Sequence, residues 1–181
     1  MRVISGSARG VALISPKGDK TRPTADRIKE DIFNIISGYI EDADFLDLYA
    51  GSGAMGIEAL SRGARSAAFV EKDRETAGLI EKNTEKAKLD RYRIVRQDVL
   101  TAISCLNQTF DVIFMDPPYE KDIVNLTINE IEKNHILNAG GLLVIEAGNQ
   151  ESVEYSGYFE LIKTKKYKIA VLYFLKRSED L

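Results

Sequence analysis

The 181-residue chain is long enough to bury a sizeable core, and with 44% apolar and 29% charged residues it has the composition of an ordinary soluble globular protein. Its single cysteine, Cys105, excludes a disulfide framework and a cysteine metal cluster, and its single histidine, His135, argues against histidine triads and zinc sites. The apolar runs are far shorter than a membrane span and no secretory signal opens the chain, so the expectation is one cytoplasmic domain with no membrane contact.

The net charge of −3 does not point to nucleic acid, but its distribution is uneven. Residues 1–30 carry seven Lys and Arg (Arg2, Arg9, Lys17, Lys20, Arg22, Arg27, Lys29) against three acids. Such a skew is either a phosphate-contacting surface or a solvated face. In the same region Arg2–Ser5 and Val11–Ile14 read as short strands around Gly6 and Gly10, a hairpin or small flap. Thr24 can cap a helix running to about Gly38, with Ile28, Ile32, Ile35, Ile36 and Tyr39 on one face.

After Asp42 the pattern alternates strand and helix. Strands are expected at Phe45–Tyr49, Ser66–Glu71, Tyr92–Arg96, Val112–Met115 and Leu142–Glu146, and helices at Ala54–Arg62, Arg74–Lys88 and Ile123–Asn134. Gly63 and Gly140-Gly141 read as helix stops. Short apolar strands alternating with helices predict an α/β fold with a parallel sheet covered on both faces. Phe159–Thr164 and Tyr167–Leu175, on either side of Lys165-Lys166, predict an antiparallel hairpin that closes the sheet. Cys105 is expected to be a small, partly buried residue, and His135 a surface or capping residue near a helix end.

The first strand of the repeat leads into Asp47-Leu48-Tyr49-Ala50-Gly51-Ser52-Gly53-Ala54-Met55-Gly56, and Glu71 lies twenty residues beyond Gly51. Glycines after a strand and before a helix, with an acid at the next strand end, predict a nucleotide-like ligand at the mouth of the sheet. Glu71 can accept from both ribose hydroxyls. A pyrophosphate needs free N–H groups and no anion nearby. Asp47 stands just ahead of the loop, where it repels a diphosphate and suits a cationic ligand such as the sulfonium and ammonium of S-adenosylmethionine. Asp98, in Gln97-Asp98-Val99 after the third strand, can accept from an adenine amine while backbone N–H meets the ring. The structural alternatives are that Asp47 and Asp98 cap helices and that Glu71 pairs with Lys72 or Arg74.

Asp116-Pro117-Pro118-Tyr119 follows the buried run Val112–Met115. Two prolines hold this turn stiff before any ligand arrives. Its carboxylate and backbone carbonyls can accept the protons of an exocyclic amine while the Tyr119 ring stacks on a planar base. Alone, the turn is also compatible with a rigid loop at a sheet edge.

With the glycine loop and the Asp-Pro-Pro-Tyr turn in one chain, the sequence resembles class I S-adenosylmethionine-dependent amino-methyltransferases. Arg2-Val3-Ile4-Ser5-Gly6, Thr21-Arg22-Pro23-Thr24-Ala25-Asp26-Arg27 and Gly56-Ile57-Glu58-Ala59-Leu60-Ser61-Arg62-Gly63-Ala64 are similar to the RsmD-type family, which methylates a guanine N2 of bacterial small-subunit ribosomal RNA. The resemblance covers nearly the whole chain. It implies a Rossmann-like, mostly parallel seven-stranded sheet with an antiparallel C-terminal hairpin, residues 1–22 forming a β-hairpin extension and residues 23–181 the catalytic core.

The resemblance also implies site residues. Asp47, Ala50, Gly51, Gly53, Glu71, Lys72, Asp98, Val99 and Asp116 would hold S-adenosylmethionine and its product S-adenosylhomocysteine, without a metal. Asp116, Pro117 and Tyr119 would carry the transfer. Arg2, Arg9, Arg22, Thr24, Pro118 and Tyr119 would contact the RNA, within a ribosomal subunit or an assembly intermediate. Four readings compete, one of them a protein-glutamine methyltransferase, which would be expected to show Asn in place of Asp116. A DNA adenine or cytosine amino-methyltransferase shares the turn but needs room for a target-recognition region. A nucleotide-binding oxidoreductase explains the glycines and Glu71 but not Asp47 or the turn. An RNA-binding protein without activity leaves the intact acids unexplained.

Overall fold

A computed structural model describes residues 1–16, 23–118 and 122–179, the side chains of residues 23–25 excepted. The chain forms α1 (Pro23–Ile35), β1 (Asp44–Leu48), α2 (Ala54–Ser61), β2 (Ser66–Val70), α3 (Arg74–Ala87), β3 (Tyr92–Val95) and α4 (Val99–Cys105). It continues through β4 (Phe110–Met115), α5 (Ile123–Lys133), β5 (Leu137–Gly148), β6 (Phe159–Lys166) and β7 (Ala170–Arg177). The seven strands lie in the order β3-β2-β1-β4-β5-β7-β6, with β1 to β5 parallel and β7 antiparallel to both β5 and β6. This is the α/β sheet with an antiparallel end that the strand–helix pattern predicts.

The strands are apolar on both faces because both are covered. Phe45, Phe69, Phe114, Val144 and Phe174 pack with Ile32 and Phe33 of α1, Ile57 of α2 and Ile80 of α3. Leu46, Leu48, Ile113, Met115 and Ile145 pack on the other side with Ile103 of α4 and Ile128 and Ile131 of α5. Among the described residues, no helix is long and apolar enough to cross a membrane.

Four expectations change. The seven-residue α4 was not anticipated, because two turns are too short to show a helical period. Gly140 and Gly141 are not helix stops but lie inside β5, beside an irregularity in its pairing with β4. There a Cβ on Gly141 would meet the Asn138 and Asp111 carbonyl oxygens at 2.8 and 3.0 Å. α5 ends instead at Lys133, where the Asn134 side-chain amide donates back to the Glu130 carbonyl (2.9 Å). The C-terminal hairpin turns at Tyr167–Ile169 rather than at Lys165-Lys166, since β6 is an edge strand and lysines there are compatible with an unpaired edge. Cys105 is exposed at the end of α4. His135 is exposed just past α5, as expected. The proposed helix cap, Thr24, falls outside the described side chains; the helix itself begins at Pro23.

Residues 1–16 form a hairpin with one ladder bridge, Arg2 to Ala12, and backbone bonds from Val3 N–H to Val11 (2.9 Å) and Leu13 N–H to Met1 (2.9 Å). It is not a free flap. The Glu58 carboxylate of α2 is completely buried and takes the N–H groups of Ile4 (2.8 Å) and Ser5 (3.0 Å), Lys29 Nζ of α1 (3.1 Å) and Arg62 Nε (2.8 Å). Lys29 Nζ also donates to the Arg2 carbonyl (2.6 Å). Gly6 lies so close to α2 that a Cβ would fall 1.7 Å from the Ser61 carbonyl oxygen. One carboxylate thus joins hairpin, α1 and α2. Glu58→Gln strips the counter-charge from a buried lysine and is expected to cost about 3–5 kcal/mol in urea unfolding. Glu58→Gln combined with Lys29→Met should recover much of that loss. A single variant within about 0.5 kcal/mol of wild type would remove the cluster from the stability of the fold.

Candidate active site

Parallel pairing puts the carboxyl ends of β1 to β5 on one edge of the sheet. Asp98 follows β3, Glu71 follows β2, Asp47 lies near the end of β1 and Asp116 follows β4. Because these strands are neighbours in the order β3-β2-β1-β4, four acids separated in sequence form one row across the edge.

The centre of the row is the glycine loop. Gly51 (φ 54°) and Gly53 (φ 79°) are left-handed, and a Cβ at Gly51 would meet nothing within 4 Å, so open space faces its backbone. Gly56 is required for packing: a Cβ there would sit 2.3 Å from the Phe69 ring of β2. That close approach seats α2 on the sheet with its first turn beside β1. The Gly56 N–H then donates to Asp47 Oδ2 (2.9 Å). Asp47 is 1% exposed. Burial, opposed by the Gly56 N–H and helped by the Glu71 charge, pushes its carboxyl up to about 8. Glu71 spans the loop, accepting from Gly51 N–H (3.0 Å) and Asp73 N–H (2.9 Å), so it ties the loop to the start of α3 rather than pairing with Lys72 or Arg74. Ala50 donates to the Val70 carbonyl (3.0 Å), and Lys72 is exposed beside Glu71.

Two anchors of this loop carry no signal in the local sequence. Tyr49 adopts φ 59°, a strained conformation for a tyrosine, and its hydroxyl meets Thr127 Oγ1 of α5 at 2.7 Å. Asn83 of α3 is fully buried and donates to the carbonyls of Ser52 (2.9 Å) and Ile14 (2.9 Å), while its oxygen accepts from Ile14 N–H (2.7 Å). It links the glycine loop to the end of the N-terminal hairpin.

The remaining residues are distributed as follows. Asp98 is exposed and caps α4, accepting from Leu100 N–H (3.0 Å), and the Val99 side chain is buried, which leaves its backbone N–H at the helix start. The helix-cap alternatives for Asp47 and Asp98 therefore both have a structural basis, and capping leaves each carboxylate with further acceptor capacity. Asp116 and Pro118 are exposed and Pro117 is buried between them. Arg2 and Arg9 are exposed on the hairpin. Arg22, Tyr119 and the side chain of Thr24 lie outside the described residues. Among the described residues, no His, Cys, Asp or Glu side chains are gathered in threes as metal ligands.

The folded protein keeps a proton on Asp47 that the unfolded chain releases above its ordinary value of 3.8, so stability present below that pH is lost as the pH rises towards about 8 and levels off beyond it. Asp47→Asn keeps an acceptor for Gly56 and should gain on wild type across that window, at up to about 1.4 kcal/mol per pH unit. Urea midpoints measured at both ends of the window check this; a gap independent of pH would mean that Asp47 is ionised in the folded protein.

Residues 1–176 match the family described as conserved hypothetical protein 95. The Bacillus subtilis protein YlbH is 37% identical over 171 residues, 92% of each chain. Ribosomal RNA small subunit methyltransferase D of Escherichia coli is 36% identical over 147 residues, 81% of this chain and 74% of that one. Among solved structures, Escherichia coli yhhF superposes with a TM-score of 0.90 at 30% identity, covering 98% of both chains. The chain belongs to the conserved hypothetical protein 95 family, the RsmD-type methyltransferases.

Proposed function

We propose that this protein transfers a methyl group from S-adenosylmethionine to the exocyclic N2 of a guanine in bacterial small-subunit ribosomal RNA, releasing S-adenosylhomocysteine. The observation that carries this reading is the row Asp98, Glu71, Asp47 and Asp116 on adjacent strand ends, with the Asp-Pro-Pro turn at one end and the glycine loop at its centre. The name of the Escherichia coli relative supports the substrate class.

The residues present fit the cofactor. Open space at the Gly51 backbone admits a ligand atom that any side chain would obstruct. Asp47, buried and protonated at neutral pH without a ligand, gains its charge when a cationic group arrives. Gly51, Gly53 and Ala50 would then line the methionine and ribose, with Glu71 and Lys72 at the ribose and Asp98 with the Val99 N–H at the adenine. A pyrophosphate would instead meet the Glu71 carboxylate and gain nothing from ionisation of Asp47, which disfavours the dinucleotide oxidoreductase.

When bound, S-adenosylmethionine supplies a methyl already activated by its sulfonium, so the protein's work is orientation and charge. The guanine amine is a weak nucleophile because its lone pair is delocalised into the ring. Asp116 and the Pro117 carbonyl would accept its two protons and aim the nitrogen lone pair at the methyl. Tyr119 and Pro118 would pack on the base, which must leave its stack at a cost of a few kcal/mol. Orientation can contribute up to about 7–11 kcal/mol. Asp116 further stabilises the positive charge that develops on nitrogen. Arg2, Arg9, Arg22 and Thr24 would approach the RNA, and a basic surface this small suits a substrate presented within a ribosomal subunit or assembly intermediate in the cytoplasm. The reading treats the chain as one catalytic unit, residues 1–22 being its extension and 23–181 its core.

Radiolabelled methyl donor and small-subunit particles lacking the modification test this directly: label should appear in N2-methylguanosine after nucleoside digestion. Label in another base would overturn the substrate. Asp116→Asn should bind S-adenosylhomocysteine as wild type does and lose about 10²–10³ in transfer rate; near-wild-type turnover would remove Asp116 from the chemistry.

A further inference from the structure

β5 carries an acid that the transfer scheme does not use. Met115 of β4 is registered with Ile145 of β5, so one step further Asp116 and Glu146 are lateral neighbours on strands about 5 Å apart. Glu146 also pairs with Leu172 of β7, which fixes its face: it projects to the side of Val144 and Leu172, the side that packs on α1 to α3. Asp47 lies on that side too, registered with Phe114 and through it with Val144, so Glu146 stands two residues nearer the carboxyl edge than Asp47. It is half-buried, and among the described residues no N–H or O–H group donates to its carboxylate and no Lys or Arg pairs with it. Its oxygens are not sealed from solvent, so water serves them in the free protein and a ligand donor would take the place of that water. Burial raises its pKa, a shift that an incoming N–H donor opposes by favouring the ionised form.

We propose that Glu146 makes the acceptor pocket specific for guanine, its carboxylate accepting the N1–H that guanine presents beside N2. The inference rests on the guanine-N2 reading and adds how that base is selected. Guanine sets its amine next to a ring N–H. Adenine N6 and cytosine N4 lie next to ring nitrogens that bear lone pairs, which a carboxylate repels. Asp116 and Pro117 can take the protons of any of these amines, so they do not discriminate among them. The neighbouring carboxylate does, attracting one edge and rejecting the other two.

The test uses small-subunit RNA with either guanine or 2-aminopurine at the acceptor position mapped by labelling. 2-Aminopurine keeps the 2-amino group and has a lone pair at N1. Wild type should strongly prefer guanine in kcat/KM, and Glu146→Gln should shrink that preference by about 10- to 150-fold, the range for a hydrogen bond to a charged group. S-adenosylhomocysteine affinity should stay at the wild-type level. Equal turnover of the two RNAs by wild type overturns the inference without any variant. An unchanged preference in Glu146→Gln also overturns it, while methylation of guanine by wild type leaves the reading of the reaction standing. Failure of wild type to methylate guanine at all overturns both.

Discussion

Parallel pairing of β4, β1, β2 and β3 is the constraint on which the site depends. Parallel strands bring every carboxyl end to one edge, so each strand that ends in an acid adds a carboxyl group to the same row. Carboxylates gathered on one sheet edge repel one another. The structure meets this repulsion in different ways. Asp98 and Glu71 stay near solvent and accept backbone N–H groups, whereas Asp47 is buried and holds a proton. An edge of this kind repels polyphosphates and gains from a ligand with a positive centre, which is the electrostatic basis for preferring a sulfonium cofactor over a dinucleotide.

The second organising element is the buried carboxylate of Glu58. Its ion pairs to Lys29 and Arg62 are not a source of stability in themselves, because removing two charges from water costs about as much as their attraction returns. Their effect is to join segments. The hairpin is tied to α2 through Glu58 and Ser61, and to α3 and the glycine loop through Asn83. Arg2 and Arg9 are thereby carried on an element tied to the glycine loop.

Much of this was legible locally. The strand–helix alternation, the glycine loop and the Asp-Pro-Pro turn follow from periodicity, from residues that tolerate positive φ and from prolines that fix their own. Local reasoning failed where an element was too short to show its period, as in α4, or where packing partners beyond the local pattern decided the conformation. Gly141 looked like a helix stop but sits where the Asn138 and Asp111 carbonyls leave no room for a side chain. The Lys165-Lys166 pair looked like a turn but belongs to an edge strand, where Lys165 reaches Asp31 of α1 (2.7 Å).

The sequence by itself determined the order and type of nearly every element and the stiffness of the acidic turn, because helical period, strand alternation and proline geometry act over a few residues. Only the tertiary structure decided that Asp98, Glu71, Asp47 and Asp116 share an edge, that Asp47 keeps its proton, that Glu58 is an internal clamp and that Glu146 stands beside Asp116. Those properties come from burial and from neighbours across the sheet. Burial and pairing depend on which strand lies next to which, and the chain settles that only when it folds.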